Sequence, residues 1–210
     1  MFRVHDLTLT ICEDMPGVEL KPRHRRPHDA WNSTVLNLYS HCGTHMDAPA
    51  HMDGRARGID SIPLDRCYGP AWVVRIPNVA PKSLIGTECL GNVSEQLEPG
   101  DGLILATGWS SRWGTPQYRD ELPRVSRDLA WWCVNRQVRI LGVEPPSVAD
   151  VNNRQEVEEI HGILLNGGVV IVEGLTNLEA ISSPRVMFAA FPLKIKDGDG
   201  SPVRAVAIEG

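Results

Sequence analysis

With 210 residues, 42% of them apolar, and 21 Lys and Arg against 26 Asp and Glu, the chain has a formal charge of −5. That size predicts one domain, 1–210, with enough interior to fold without disulfides. The mild acidity leaves no basic footprint for nucleic acid, and no run of about 18 apolar residues is available to span a membrane. The five cysteines, at 12, 42, 67, 89 and 133, form no C-x-x-C pair. They predict reduced thiols in a cytoplasmic protein, and Met1 to Asp6 lacks the apolar run of a signal peptide.

In chain order, Val4 to Ile11 alternates as a first strand. Residues 12 to 30, with Pro16, Gly17, Pro22 and Pro27, predict a long irregular segment. Its basic run Lys21-Pro22-Arg23-His24-Arg25-Arg26 reads as a solvated loop, or as an arm over the active site or onto a neighbouring subunit. Ser33 to Tyr39 is β-rich. Ile59 to Leu64 suggests a packed turn, and Ala71 to Ile76 a buried strand closed by Pro77. Leu84 to Leu97 is expected to be helical. Leu103 to Thr107 is a second buried strand, ending in the aromatic loop Gly108 to Gly114. Ser126 caps a helix over 127 to 136 that splits Trp131 and Trp132 between its faces. Val138 to Val143 is a third buried strand, Glu156 to Asn166 a helix stopped by Gly167-Gly168, and Val169 to Glu173 a fourth strand. Val186 to Lys196 and Val203 to Ile208 flank Asp197-Gly198-Asp199-Gly200 as a hairpin. This alternation predicts an α/β fold with additional β structure at both ends.

Three of the seven histidines and one aspartate fall within His41-Cys42-Gly43-Thr44-His45-Met46-Asp47-Ala48-Pro49-Ala50-His51. Gly43 and Pro49 argue against a helix. On an extended backbone the odd-numbered His41, His45, Asp47 and His51 share one face, and that face holds only metal-ligand chemistry. His161, among Ile160, Ile163, Leu164 and Leu165, and Glu173, after four apolar residues, lie one helix-turn-strand apart. That spacing can bring both to the same end of the sheet. A buried imidazole and a buried carboxylate need partners, and a metal serves both.

The segment from His41 to His51 resembles the H-x-G-T-H-x-D-x-P-x-H signature of the metal-dependent cyclase family, which includes bacterial kynurenine formamidases and isatin hydrolases. The resemblance continues in His161-Gly162-Ile163-Leu164-Leu165, in Glu173 and in Gly200-Ser201-Pro202-Val203-Arg204-Ala205. It covers nearly the whole chain, in family order. It implies a swivelling β/β/α single domain, with a mixed sheet and flanking helices, in homodimers or homotetramers. It also implies that His41, His45 and Asp47 are metal ligands and that His161 and Glu173 complete a second, adjacent metal position. Asp47 and Glu173 would bridge, and His51 would be the general acid/base. Glu144-Pro145-Pro146-Ser147 departs from the Asp-Thr-Pro-Ser common in members, which leaves the substrate open.

Imidazoles with carboxylates suit a divalent ion, Zn²⁺ first and Mn²⁺ next, as one ion or two. Such an ion lowers the pKa of bound water from about 15.7 toward about 7 and polarises a carbonyl. The expected activity is hydrolysis of an amide, lactam or ester of a small metabolite, arylformamidase-like, with His51 shuttling the proton. Thr44 and Asp53 are candidate supports for the ligands. Trp109, Trp113 and Tyr118 either wall a pocket for a flat substrate or pack in a core. Two other readings stay open: a non-haem Fe(II) oxygenase using His45-x-Asp47 with His161, and a non-catalytic binding protein using the same pocket.

Overall fold

The computed structural model describes residues 2–210. Strands β1 (Arg3–Asp6), β2 (Val18–His24), β3 (Ser33–Leu38), β4 (His45–Asp47), β5 (Tyr68–Arg75) and β6 (Leu84–Ile85) precede helix α1 (Val93–Gln96). Then come β7 (Gly102–Ala106), α2 (Pro116–Asp120), β8 (Arg124–Val125), α3 (Arg127–Asn135), β9 (Ile140–Val143), α4 (Arg154–Asn166), β10 (Val170–Glu173), β11 (Arg185–Pro192) and β12 (Gly200–Glu209).

Eight strands form one mixed sheet in the order β1-β12-β11-β5-β7-β9-β10-β4, and β4 also pairs with β12, closing all but β1 into a barrel. The neighbours β5, β7, β9 and β10 run parallel. A parallel sheet is covered on both faces, which is why these strands read as continuous apolar runs. Ile104, Ile140 and Val172 face a core shared with Phe188 and Ala205. Leu103, Leu105 and Ile171 face a second core built with Leu129 and Cys133 of α3 and Leu164 and Leu165 of α4. Burying a side chain such as Phe188 contributes roughly 2 to 3 kcal/mol. Ser126 accepts the Leu129 N–H and caps α3, whose Trp131 is exposed while Trp132 packs on the second core. The α/β class, the mixed sheet, the flanking helices and the terminal hairpin thus match expectation.

Three expectations are corrected. Residues 18 to 24 are not irregular: β2 pairs antiparallel with β3, Val18 opposite Leu38, and the register shifts between Pro22 and His24. This is a separate two-stranded sheet, where a strand edge tolerates a proline that a central strand would not. Leu84 to Leu97 is no single helix. Leu84 and Ile85 pair with Arg124 and Val125, and Gly91, at φ 53°, separates a 3₁₀ turn over Thr87–Leu90 from α1. The first strand is shorter than expected, because Thr8 bridges to Leu175 instead.

Among the described residues no helix is long and apolar enough to cross a membrane, and all five cysteines are free.

The two termini of the sheet are tied by Glu209. Its Oε1 accepts the N–H groups of Ser182 (2.8 Å) and Ser183 (2.6 Å), and its Oε2 faces His5 Nε2 at 2.5 Å. The Ser183 N–H, opposed by burial and helped by His5 and Ser182, lowers this carboxyl from 4.5 to about 2. A carboxyl depressed on folding stabilises the protein above its unfolded pKa and loses that contribution as pH falls through the folded one. Glu209→Gln should therefore lower the melting temperature at neutral pH, and the gap to the parent should close between pH 4.5 and about 2, as followed by circular dichroism.

Candidate metal centre

The centre is built where β4 closes the barrel. His45, Met46 and Asp47 pair with Glu173, Val172 and Ile171 on one side and with Pro202, Ser201 and Gly200 on the other. Strand alternation sends Met46 into the apolar core and turns His45 and Asp47 to the opposite face. The expectation of one extended segment from 41 to 51 holds only for His45–Asp47. His41 lies in a turn and His51 in the 3₁₀ turn Pro49–His51, yet both return to the same place. Gly43 (φ 61°) and Gly174 (φ 68°) pass each other behind the strands, where a Cβ on Gly174 would stand 2.5 Å from the Gly43 carbonyl oxygen. Thr44 spans this crossing, donating to Gly174 O at 2.6 Å and accepting from Leu9 N at 2.8 Å. It is a strut between segments and touches no donor of the cluster. Asp53 is exposed and caps the Arg55 N–H, away from the cluster.

Two histidines present Nε2 inward because their other nitrogen is spoken for. His45 Nδ1 donates to Gly43 O at 3.0 Å and His161 Nδ1 to Val157 O at 2.9 Å; a carbonyl only accepts, so each Nδ1 bears the proton. Their Nε2 atoms reach the two oxygens of Glu173 at 3.2 and 3.3 Å. His45 Nε2 also stands 3.6 Å from Asp47 Oδ1, and His161 Nε2 3.8 Å from Asp47 Oδ2. His41 adds Nδ1 at 2.8 Å from Asp47 Oδ1. His51 stacks on His41 with ring centroids 4.1 Å apart, and its ring centre is 5.5 Å from that of His161. All six residues singled out in the sequence meet at one site.

The electrostatics is that of two buried carboxylates seeking cations. Burial opposes a charge on His41, but Asp47 and Asp199 outweigh it and raise its pKa to about 9. Burial likewise opposes charging of His45 and His161, and Glu173 with Asp47 raises both. Glu173 is pushed up by burial but held well below the usual carboxylate range by His161 and His45. His51 moves the other way, lowered by burial and by the neighbouring His41 and His161. Asp47 is 1% exposed, and its Oδ2 has no hydrogen-bond partner among the described residues. A divalent ion fits this arrangement: it partners the orphan oxygen, neutralises the carboxylates and suits a set of imidazole and carboxylate donors.

Above the cluster opens a cavity of about 840 Å³, lined by Met15, Tyr39, Trp113, Tyr118 and Arg119 as well as the histidines. Trp113 and Tyr118 meet edge to face at 5.4 Å. Trp109 does not belong to this wall: it is buried and donates its indole N–H to Tyr118 O at 2.9 Å.

The Cyclase family model matches residues 5–150. The chain belongs to the cyclase family. It is 33% identical over 175 residues to a kynurenine formamidase of Bacillus cereus, covering 83% of this chain and 79% of that one. The kynurenine formamidase of Geobacillus thermodenitrificans is also 33% identical, over 83% of this chain and 78% of its own. Isatin hydrolase A of Labrenzia aggregata, solved with benzyl benzoate, superposes with a TM-score of 0.89 over 99% of this chain and 93% of that chain, at 23% identity. That likeness is one of fold.

Two carboxylates have roles that the sequence did not assign. Asp199, read as hairpin punctuation, reaches His41 Nε2 at 2.8 Å. Glu144, fully buried, accepts the N–H groups of Thr107 and Gly108 at 2.6 Å each, the Thr107 hydroxyl at 2.9 Å and the Ser110 hydroxyl at 2.8 Å. It anchors the loop that leads to Trp113. The sequence marked Glu144 as a charged residue directly after a buried strand, at the head of the Glu-Pro-Pro-Ser stretch, with no sign of what it holds. Glu144→Ala leaves four donors without their acceptor and should cost about 3 kcal/mol or more in urea unfolding, while Glu144→Gln, which keeps an acceptor oxygen, should cost roughly 1 to 2 kcal/mol.

Proposed function

We propose that this protein is a metal-dependent hydrolase that opens an amide, lactam or ester carbonyl of a small metabolite, acting as an arylformamidase-like enzyme on C–N bonds other than peptide bonds. The observation that carries this is the convergence of His41, His45, His161, Asp47 and Glu173, with an unpartnered oxygen on Asp47, under an open cavity. The kynurenine formamidase relatives support the choice of a C–N bond.

His41, His45 and Asp47 would hold one ion and His161 and Glu173 an adjacent one, with Asp47 and Glu173 placed to serve both. The donor set supports Zn²⁺ first and Mn²⁺ next. When bound, the ion supplies Lewis acidity for the carbonyl and a water acidic near neutral pH. His51 would serve as the general acid/base, its imidazole accepting a proton on the nucleophile's side and giving it to the leaving nitrogen or oxygen. Its lowered pKa keeps the imidazole neutral and ready to accept. Trp113 and Tyr118 bound the space for a flat substituent, and the Tyr118 hydroxyl is fixed by donation to Glu144 O at 2.8 Å. An Fe(II) oxygenase triad of His45, Asp47 and His161 would leave His41, His51 and Glu173 without work, and a non-catalytic binding site would not need His51.

We further read the chain as a single domain with the family's swivelling β/β/α architecture; pairing of β1 with β12, from opposite ends of the sequence, supports this. Five free cysteines support a reducing, cytoplasmic setting. The exposed Trp31 and Leu36 at the β2–β3 hairpin support a homodimer or homotetramer.

Metal-loaded protein should hydrolyse at least one of N-formylkynurenine, isatin and simple lactones, and a chelator should abolish the activity. No turnover of any of them refutes the substrate class. His51→Ala should lose about 10²-fold or more in kcat while keeping its metal content.

A further inference from the structure

His41 is held between two carboxylates, and the two contacts differ in kind. Its Nδ1 lies 2.8 Å from Asp47 Oδ1, inside the donor cluster; its Nε2 lies 2.8 Å from Asp199 Oδ2, on the outer side. The Asp47 side chain is fully buried, whereas that of Asp199 is 48% exposed. His45 and His161 each hand their outer nitrogen to a backbone carbonyl and point the other inward. His41 has no such carbonyl contact, and its outer nitrogen meets Asp199.

We infer that Asp199 is a positioning residue: its carboxylate accepts the Nε2–H of His41 and so, when a metal ion is bound, holds this imidazole in the tautomer whose Nδ1 lone pair is turned to the donor cluster. This rests on the metal reading proposed above. An imidazole that gives a lone pair from one nitrogen keeps its proton on the other, and the acceptor of that proton fixes both tautomer and ring plane.

The surrounding structure is built to hold the contact. Asp199 O accepts the Ala48 N–H at 3.0 Å, which ties the turn to the residue after Asp47. Ser40 Oγ donates to the same Asp199 Oδ2 at 3.3 Å. The next residue, Gly200, pairs with Asp47 in the β12–β4 ladder. A Cβ there would stand 2.7 Å from His41 Cε1 and 2.9 Å from Met46 O, so the turn approaches the ring only because residue 200 is glycine. His51 Nδ1 is 3.9 Å from Asp199 Oδ2, beyond hydrogen-bond reach, so the close imidazole contact of Asp199 is with His41. A competing role is direct ligation, since His41, His51 and Asp199 can bring one donor atom each within 4.8 Å of one another.

The test uses the full chain, zinc and two readouts that need no substrate. Long-range ¹⁵N–¹H spectra of the zinc-loaded protein should show His41 protonated at Nε2. Competition with a chromophoric chelator should show Asp199→Ala weakening zinc binding by about 10- to 100-fold, with the zinc equivalents at saturation unchanged. Asp199→Asn, whose amide oxygen can accept the same proton, should recover most of the affinity, and it guards against a folding defect in the alanine variant. A His41 proton on Nδ1, or an alanine variant within twofold of wild type, overturns the inference. Loss of a zinc equivalent in Asp199→Ala also overturns it, because Asp199 would then be a ligand. Failure of the wild-type protein to bind zinc at all overturns the metal reading together with it.

Discussion

Asp47 and Glu173 are two carboxylates placed almost wholly out of water on neighbouring strands of one sheet. Removing a carboxylate from water is tolerable only with hydrogen bonds and compensating charge. The structure supplies both: Val148 N–H donates to Glu173 at 2.7 Å, and three imidazoles close around the pair. Glu173 ends β10 and Asp47 ends β4, so the cluster exists only because the short strand β4 completes the barrel between β10 and β12. The glycine crossing at 43 and 174 and the glycine at 200 remove the side chains that would prevent this closure.

The same geometry explains where the cavity lies. The parallel strands β7, β9 and β10 finish at Ala106, Val143 and Glu173, and ligand sites in such sheets lie beyond the carboxyl ends of the strands. The loop after β7 leads to Trp113, the loop after β9 contributes Pro146 and Ser147, and α4 returns His161. Glu144 joins the first two loops by accepting four hydrogen bonds from Thr107, Gly108 and Ser110. Specificity and chemistry thus share a frame: the aromatic wall hangs from a carboxylate one residue beyond β9, while the donor cluster hangs from the ends of β4 and β10.

Much of this was legible in the residues. The buried strands around Val73, Ile104, Leu141 and Ile171 declared themselves by composition, and the cap at Ser126 by its hydroxyl. His161 and Glu173 were recognisable as polar residues in apolar company. The failures have physical causes. The β2–β3 hairpin hid behind prolines because its two-stranded sheet leaves edges where proline is harmless. The 84 to 97 stretch has helix-forming residues, but pairing with β8 and a left-handed glycine override them. Asp199 was invisible because its partner lies 158 positions away, and nothing local distinguishes a turn aspartate that caps itself from one that holds a histidine. Trp109 and Trp113 share a loop and a residue type, yet one is core and the other wall, a difference set by packing alone.

What the fold achieves is a polar cluster that is costly to bury and is complete only when its negative charge is matched. The most direct measurement is an anomalous-scattering map at the zinc edge from crystals of the zinc-loaded protein. The account predicts a peak held by His41, His45 and Asp47, or one held by His161 and Glu173, at about 2.0 to 2.2 Å from its ligand atoms. A map with no peak at these residues, or with zinc held only elsewhere on the protein, would contradict it.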